Sequence, residues 1–407
     1  MRGEVYVDID FGAGPERVGT LLLQGRTIYF RYAAAYLEGR ERNISPLKLR
    51  WTNEPQQADT ALFDGLHGVF ADSLPDGWGR LLLDRALLRA GINLDNIGPL
   101  ERLAYVGNRG RGALLYTPER NDLIATTTAI ALDELARQAG AIWADESLDA
   151  LPALLRLGGS SGGARPKVHV RYDPQSDTLH PDTYPAPPGH EAWIIKFPAG
   201  SDDADAAVVE YAYAQAAVRA GIEMAECRLF AGASDARYFG TRRFDRPADG
   251  QRLHLHSFAG LVHGDFRTPA LDYGHLMDAA FRLERDTVAY QKVLRLAALN
   301  VFAHNRDDHA NNFSFLMDAM GSWRFAPAYD LTFSRPAHGE HSLTVAGEGR
   351  QPGRADLLRL AEHFTIPHAK AILDEVWEAV RELPELFREA GAQRSTVRGA
   401  RAHLGKV

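Results

Sequence analysis

The chain has 407 residues, 45% hydrophobic and 24% charged, with 46 basic against 53 acidic side chains and a net charge of −7. That length predicts two or three packed units rather than one core, and the acidic balance argues against a surface that grips bare nucleic acid on its own. A single cysteine, Cys227, excludes an intrachain disulfide, and with no h-region at the start and no apolar run of about eighteen residues, a cytoplasmic protein is expected, with neither signal peptide nor membrane span.

The first fifty residues read as strands. Val5, Val7 and Ile9 alternate with polar positions up to the break at Gly12-Ala13-Gly14-Pro15. Val18–Leu23 and Thr27–Tyr32 flank Gln24-Gly25-Arg26, a hairpin turn. Helical spacing appears from Arg80 to Arg89 and on either side of a break in 131–157. A glycine-serine segment, Gly158 to Lys167, leads into a strand at Val168–Tyr172. A proline-rich loop then precedes a second strand, Ala192–Phe197, which carries Lys196. A helix over Ala204–Ala220 bears Glu210, and strands follow near Glu226–Phe230 and Tyr238–Phe244. From about Asp272 the pattern is mainly helical, with one apolar face along Asp286–Ala303.

The segment His304–Asp330 concentrates the chemistry. His304-Asn305-Arg306-Asp307-Asp308-His309-Ala310-Asn311-Asn312 is too polar to be buried unless its groups pair with one another or with a ligand. Phe313–Met317, a turn at Asp318–Gly321 and Trp323–Pro327 predict a hairpin, which returns Asp330 beside Asn312. Magnesium takes hard oxygen ligands and keeps several waters, so one amide and one carboxylate suffice for it. A further carboxylate, Asp307, can then orient a hydroxyl nucleophile and accept its proton. Arg306-Asp307 and Asn312 have the R-D-x-x-x-x-N spacing of kinase catalytic loops, and Tyr329-Asp330-Leu331 stands where kinases carry D-F-G, without the glycine. Only Asp307 has the five-residue spacing to Asn312, so Asp308→Asn is expected to be much milder than Asp307→Asn. Two other readings remain: a solvated loop whose aspartates cap a helix end, and a metallohydrolase site built from His304, Asp307, Asp308 and His309. The two histidines lie five apart, which lacks the i, i+4 face of an H-E-x-x-H site.

Upstream, the backbone N–H groups of the glycine-serine loop can cradle phosphates, with Lys167 following. A lysine on the apolar strand Trp193-Ile194-Ile195-Lys196 calls for an anionic partner. Phosphate loop, strand lysine, acid-bearing helix, hinge strand and Asp-Asn-Asp cluster follow in the order of a kinase.

Along nearly the whole chain these residues resemble the HipA family of serine/threonine kinase toxins from type II toxin–antitoxin modules. The resemblance is carried by Val18-Gly19-Thr20-Leu21, Phe70-Ala71-Asp72-Ser73-Leu74-Pro75-Asp76-Gly77, Val106-Gly107 with Gly112-Ala113-Leu114, and Ser160 to Lys167. Trp193–Pro198, Arg243-Phe244-Asp245-Arg246, Asp307–Ser314 and Pro327–Leu331 extend it. It implies an α+β, bilobal protein-kinase-like fold with an N-terminal β-rich module (1–125), a nucleotide-binding lobe (126–250) and a mainly helical C-terminal lobe (251–407). It further implies ATP and Mg2+ as cofactors. Asp307 would be the catalytic base, and Asn312 and Asp330 the metal ligands. Lys196, Lys167, Gly162, Gly163, Ala164, Phe244 and His309 would form the ATP site. Ser160, or Ser161, would be the self-inactivating phosphosite. The implied partners are a helix-turn-helix antitoxin of the HipB type, through which alone DNA would be reached, and a protein substrate, in the family an aminoacyl-tRNA synthetase. A small-molecule kinase of the same fold and a catalytically silent corepressor module are the alternatives. Arg242 stands where an acid is expected before the hinge, and the loop is unusually rich in glycine.

Overall fold

The computed structural model describes residues 3–124, 131–158, 162–200, 202–247, 250–264, 271–334 and 339–404. It divides into two compact units: Met1–Asp202 with Phe230–His256 and Leu316–Ser322, and Asp203–Leu229 with Ser257–Phe315 and Trp323–Val407. The fold is α+β, with β-rich N-terminal and mainly helical C-terminal parts. Among the described residues, no helix is long and apolar enough to cross a membrane.

The first unit holds β1 (Glu4–Ile9), β2 (Glu16–Gln24), β3 (Thr27–Tyr32), β4 (Gln56–Gln57) and β5 (Leu114–Thr117) in one sheet, ordered β4-β3-β2-β1-β5. The alternation read from the sequence is what builds it, because Val5, Val7 and Ile9 are buried together. The β2–β3 turn uses Gly25 at φ 64°, in the left-handed region that glycine enters without steric cost. A second sheet combines β6 (Lys167–Asp173), β7 (Thr178–Pro181), β8 (Glu191–Lys196), β9 (Cys227–Ala231) and β10 (Arg237–Arg242), ordered β7-β6-β8-β10-β9. Against it pack helices Gly77–Arg89, Leu132–Trp143 and Leu151–Gly158, through a core that includes Trp78, Leu154, Val168, Val170, Trp193 and Ile195. Each such side chain contributes about 1.5–3 kcal/mol on burial. The sequence pattern missed β7, and for a physical reason. It is a four-residue edge strand that ends in Pro181 and runs into the proline-rich loop, so it reads as part of that loop.

One buried polar chain in this unit has the connectivity of a hydrolase triad. Ser45 Oγ lies 3.0 Å from His256 Nε2, and His256 Nδ1 lies 2.6 Å from Asp72 Oδ2. Ser45 is only 1% exposed and His256 fully buried, so the hydroxyl has no room for an acyl substrate; the chain fastens the core.

The second unit is organised around helix Val288–Phe302, whose apolar face packs against helices Tyr273–Glu284 and Ala369–Arg381. The helix Ala206–Arg219 contributes Tyr213, whose hydroxyl donates to the Ala303 carbonyl at 2.5 Å and so closes the C-terminus of the Val288–Phe302 helix. The chain then enters the polar segment.

Candidate active site

The expected strands become Ser314–Met317 and Trp323–Phe325, and the Ala326 N–H donates to Ser314 O at 2.9 Å. The returning end is pinned from two sides. Ala328 N–H donates to Glu223 O at 2.8 Å. The Tyr329 hydroxyl donates to the Asn311 carbonyl and stands 2.7 Å from Ser314 Oγ. The residues that immediately precede Asn312 and Asp330 are thus hydrogen-bonded to each other, and the hairpin brings the two candidate metal ligands into one neighbourhood. Asp330 sits at φ 54°, a left-handed conformation that aspartate tolerates better than most residues. This gives the turn its sharp exit without the glycine of D-F-G.

Asp307 is fixed through its backbone and exposes its carboxylate. Its N–H and that of Arg306 both donate to Ser334 Oγ, at 2.8 and 2.7 Å. Its carbonyl accepts from Asn312 Nδ2 at 2.7 Å, which leaves the Asn312 amide oxygen available as a hard donor. The Asp307 side chain is 60% exposed, and His309 Nε2 approaches it at 3.7 Å. A carboxylate held in place yet open to solvent is what a general base for an incoming hydroxyl requires.

Asp308 behaves in the opposite way, with a structural role that its spacing did not suggest. Its carboxylate is buried and accepts from the Tyr273 hydroxyl at 2.8 Å and the Ser342 N–H at 2.8 Å, with His341 Nδ1 at 2.9 Å. Asn300 Nδ2 donates on to Tyr273 at 2.8 Å, and Asn305 Nδ2 to Asn300 Oδ1 at 2.9 Å. Burial, then the adjacent Asp308 charge, pushes the Tyr273 phenol well above its ordinary value, so it remains a donor. With Asp308 committed in this way, the metallohydrolase reading of His304, Asp307, Asp308 and His309 loses one of its ligands. Sequence spacing could not reveal Asp308, because Tyr273 and His341 lie 35 and 33 positions away.

In the first unit, Lys167 and Lys196 are direct cross-strand partners on β6 and β8. Like charges placed opposite each other repel, an arrangement that suits a shared anion. Lys196 Nζ also lies 5.5 Å above the Phe239 ring, and Lys167 Nζ donates to Gly162 O. Gly163 has φ +88°, and a Cβ there would stand 2.8 Å from Lys167 Nζ, so the extra glycine gives the ammonium its space. The loop is held from below: Gly163 N–H donates to Asp76 Oδ1 at 2.6 Å, and Trp78 N–H to Gly163 O at 3.1 Å. A Cβ at Gly77 would meet Gly163 O at 2.5 Å. Leu74-Pro75-Asp76-Gly77 is therefore the seat of the loop, a role that sequence reading did not assign. Ala164 is exposed on the same loop. Ser160 and Ser161 lie outside the described residues.

The hinge motif is a buried ionic cluster. Asp245 accepts from Arg243 Nε and Nη2 at 3.0 and 2.8 Å, from Arg246 Nη1 at 2.8 Å and from Gly112 N–H at 2.8 Å. Burial raises its carboxyl, but Arg243 and Arg246 more than offset this and hold it far below the usual carboxylate range. Phe244 is half-buried between these residues in sequence. The unexpected Arg242 is matched by Glu191, 3.2 Å away on the neighbouring strand.

The comparisons agree with this geometry. The family model for the HipA N-terminal domain matches residues 11–117, and that for the HipA-like C-terminal domain matches residues 159–383. The chain belongs to the HipA family. The toxin HipA of Shewanella oneidensis MR-1, solved with HipB and operator DNA, matches 98% of this chain and 95% of its own. Its TM-score is 0.69 and its identity 16%, so it shares the fold. A crystal structure of the Helicobacter pylori proinflammatory kinase CtkA matches 52% of this chain and 87% of that one. The TM-score of 0.35 and 12% identity are too low to argue from. No curated protein matches this HipA chain in sequence.

Proposed function

We propose that this HipA-family chain is an ATP- and magnesium-dependent serine/threonine protein kinase of the toxin type. The observation that carries the reading is the treatment of Asp307: backbone fixed by Ser334 and Asn312, carboxylate exposed. Asp307 accepts the proton of a substrate hydroxyl, while Asn312 and Asp330 offer the amide and carboxylate oxygens that suit Mg2+. Bound Mg2+ would neutralise charge on the transferring phosphoryl group. Lys196 and Lys167 hold nucleotide phosphates, with Gly162, Gly163 and Ala164 supplying backbone and His309 a further contact. Phe244 lines the adenine pocket. Ser160, or Ser161, is the self-inactivating phosphosite. The functional parts follow the division 1–125, 126–250 and 251–407. By analogy with the Shewanella oneidensis complex with HipB and operator DNA, the partner is a HipB-like antitoxin. Through it alone the acidic chain would reach DNA. The substrate is a protein hydroxyl, an aminoacyl-tRNA synthetase being the family precedent.

Phosphopeptide mass spectrometry after brief expression, wild type against Asp307→Ala, tests this reading. New phosphosites confined to wild type support it. Identical phosphoproteomes, together with no Mg2+-dependent ATP binding, would remove it in favour of a silent corepressor module.

A further inference from the structure

We propose that Asp173, His180 and His190 form a binding site for a late first-row divalent metal ion, with Zn2+ the best-suited probe. This proposal does not depend on the kinase reading, since all three residues belong to the β6–β7 hairpin and the residue before β8.

Each of the three offers one ligand atom, and these atoms lie within 4.8 Å of one another. Four-coordinate Zn2+ with bonds of about 2.0–2.2 Å places its ligands about 3.3 Å apart. Small side-chain rotations would therefore close the triangle, with a fourth position left to water. Two imidazoles and one carboxylate suit zinc and its transition-metal neighbours, whereas Mg2+ and Ca2+ prefer oxygen throughout.

The backbone has already done the gathering. In the β6–β7 register Asp173 faces Thr178 and Arg171 faces His180, so Asp173 and His180 lie on the same face of the hairpin, on diagonal positions. The His180 and His190 rings are 5.1 Å apart between centroids. Outer contacts orient the donors as they do around protein metal sites. Asp173 Oδ1 accepts from Gln175 N–H at 2.9 Å, and Oδ2 from the Ser176 hydroxyl at 2.6 Å. Ser176 Oγ stands 2.7 Å from Thr178 Oγ1, which stands 2.9 Å from His180 Nε2. An unbroken hydrogen-bonded chain thus runs from the carboxylate to the first imidazole.

An independent observation points to a missing partner. His190 Nδ1 is shielded from solvent and has no hydrogen-bond partner. A buried ring nitrogen without a partner is unfavourable, and a metal ion or a metal-bound water would satisfy it. The bound ion would fasten the start of β8, the strand that ends in Lys196, to the hairpin beside it.

The test uses the full chain, stripped of metal and titrated with Zn2+ in the presence of excess Mg2+, which fills all-oxygen sites. One equivalent should bind saturably, and His180→Ala, His190→Ala and Asp173→Asn should each weaken it at least about tenfold. Co2+ in place of Zn2+ should give the visible absorption of a four-coordinate nitrogen–oxygen site in wild type. Circular dichroism establishes that the variants are folded. The proposal falls if wild type binds no stoichiometric Zn2+ or if Co2+ remains six-coordinate. It falls equally if the His180→Ala/His190→Ala double variant retains one equivalent at wild-type affinity.

Discussion

The proposed catalytic segment His304–Asn312 and the proposed phosphate loop before Lys167 are secured by different means. The first is fixed by a buried polar network that converges on Asp308 and reaches Tyr273, Asn300, Asn305 and His341. Among the described residues, the second is held by Asp76, Trp78 and Lys167. A group that must transfer a proton has to be held within tenths of an ångström, and a buried hydrogen-bonded network does this. A loop that must admit and release a nucleotide is better held by contacts that can break singly.

Substitutions can break this comparison, and the largest effect is expected at Asp307. Asp307→Ala should lower phosphoryl transfer by about 10²–10⁴ with a smaller change in melting temperature than Asp308→Ala, because the Asp307 side chain is 60% exposed. A labelled-ATP assay beside a thermal melt measures both, and near-full activity in a folded variant would overturn the assignment. Asp308→Ala should instead act through stability. It strands the Tyr273 hydroxyl, the Ser342 N–H and His341, at about 1–3 kcal/mol for each buried group left unsatisfied. The melting temperature should fall by several degrees and activity with it. A melt equal to wild type would show that the network does not hold the loop.

Asp76→Ala addresses the other region. Loss of a charge-assisted bond of about 1.5 kcal/mol should speed hydrogen exchange at the loop amides roughly tenfold, with little change in global stability. Exchange no faster than in wild type would mean that the loop is held elsewhere. Acid provides the smallest and most graded test. His169, on β6 with Lys167, is pushed down to about 3 by burial and then by Arg243. Its folded value lies below the unfolded value of about 6.5, so the unfolded chain binds more protons between those limits. Stability should therefore decline as pH falls from about 6.5 toward 3. His169→Asn should flatten that slope in a series of melts; an unchanged slope would assign the acid sensitivity to other groups, such as His254.

What could be read from the sequence follows from locality. The hairpin after Asn312, the β2–β3 turn and the long helix Val288–Phe302 rest on periodicity and turn residues, and they stand within a few residues of where the pattern placed them. The R-D-x-x-x-x-N spacing singled out this loop but could not rank its two aspartates by role in folding. That ranking depends on partners far away in the chain. The same holds for Asp76, whose partner Gly163 is 87 positions distant. The partner of Arg242, Glu191, lies on another strand and could not be read from spacing either.

The pairing of Lys167 with Lys196 has one more consequence. In a pleated sheet, a slip of one residue turns every side chain of a strand to the other face. A one-residue slip of the β6–β8 pairing would exchange these lysines with apolar neighbours such as Val168 and Ile195, both fully buried here. The faulty sheet would set an ammonium in a place shaped for an aliphatic side chain, and would be lost to unfolding and degradation. Quality control of the fold thereby acts as quality control of the site: a chain stable enough to persist in the cell has its two cations in the right place.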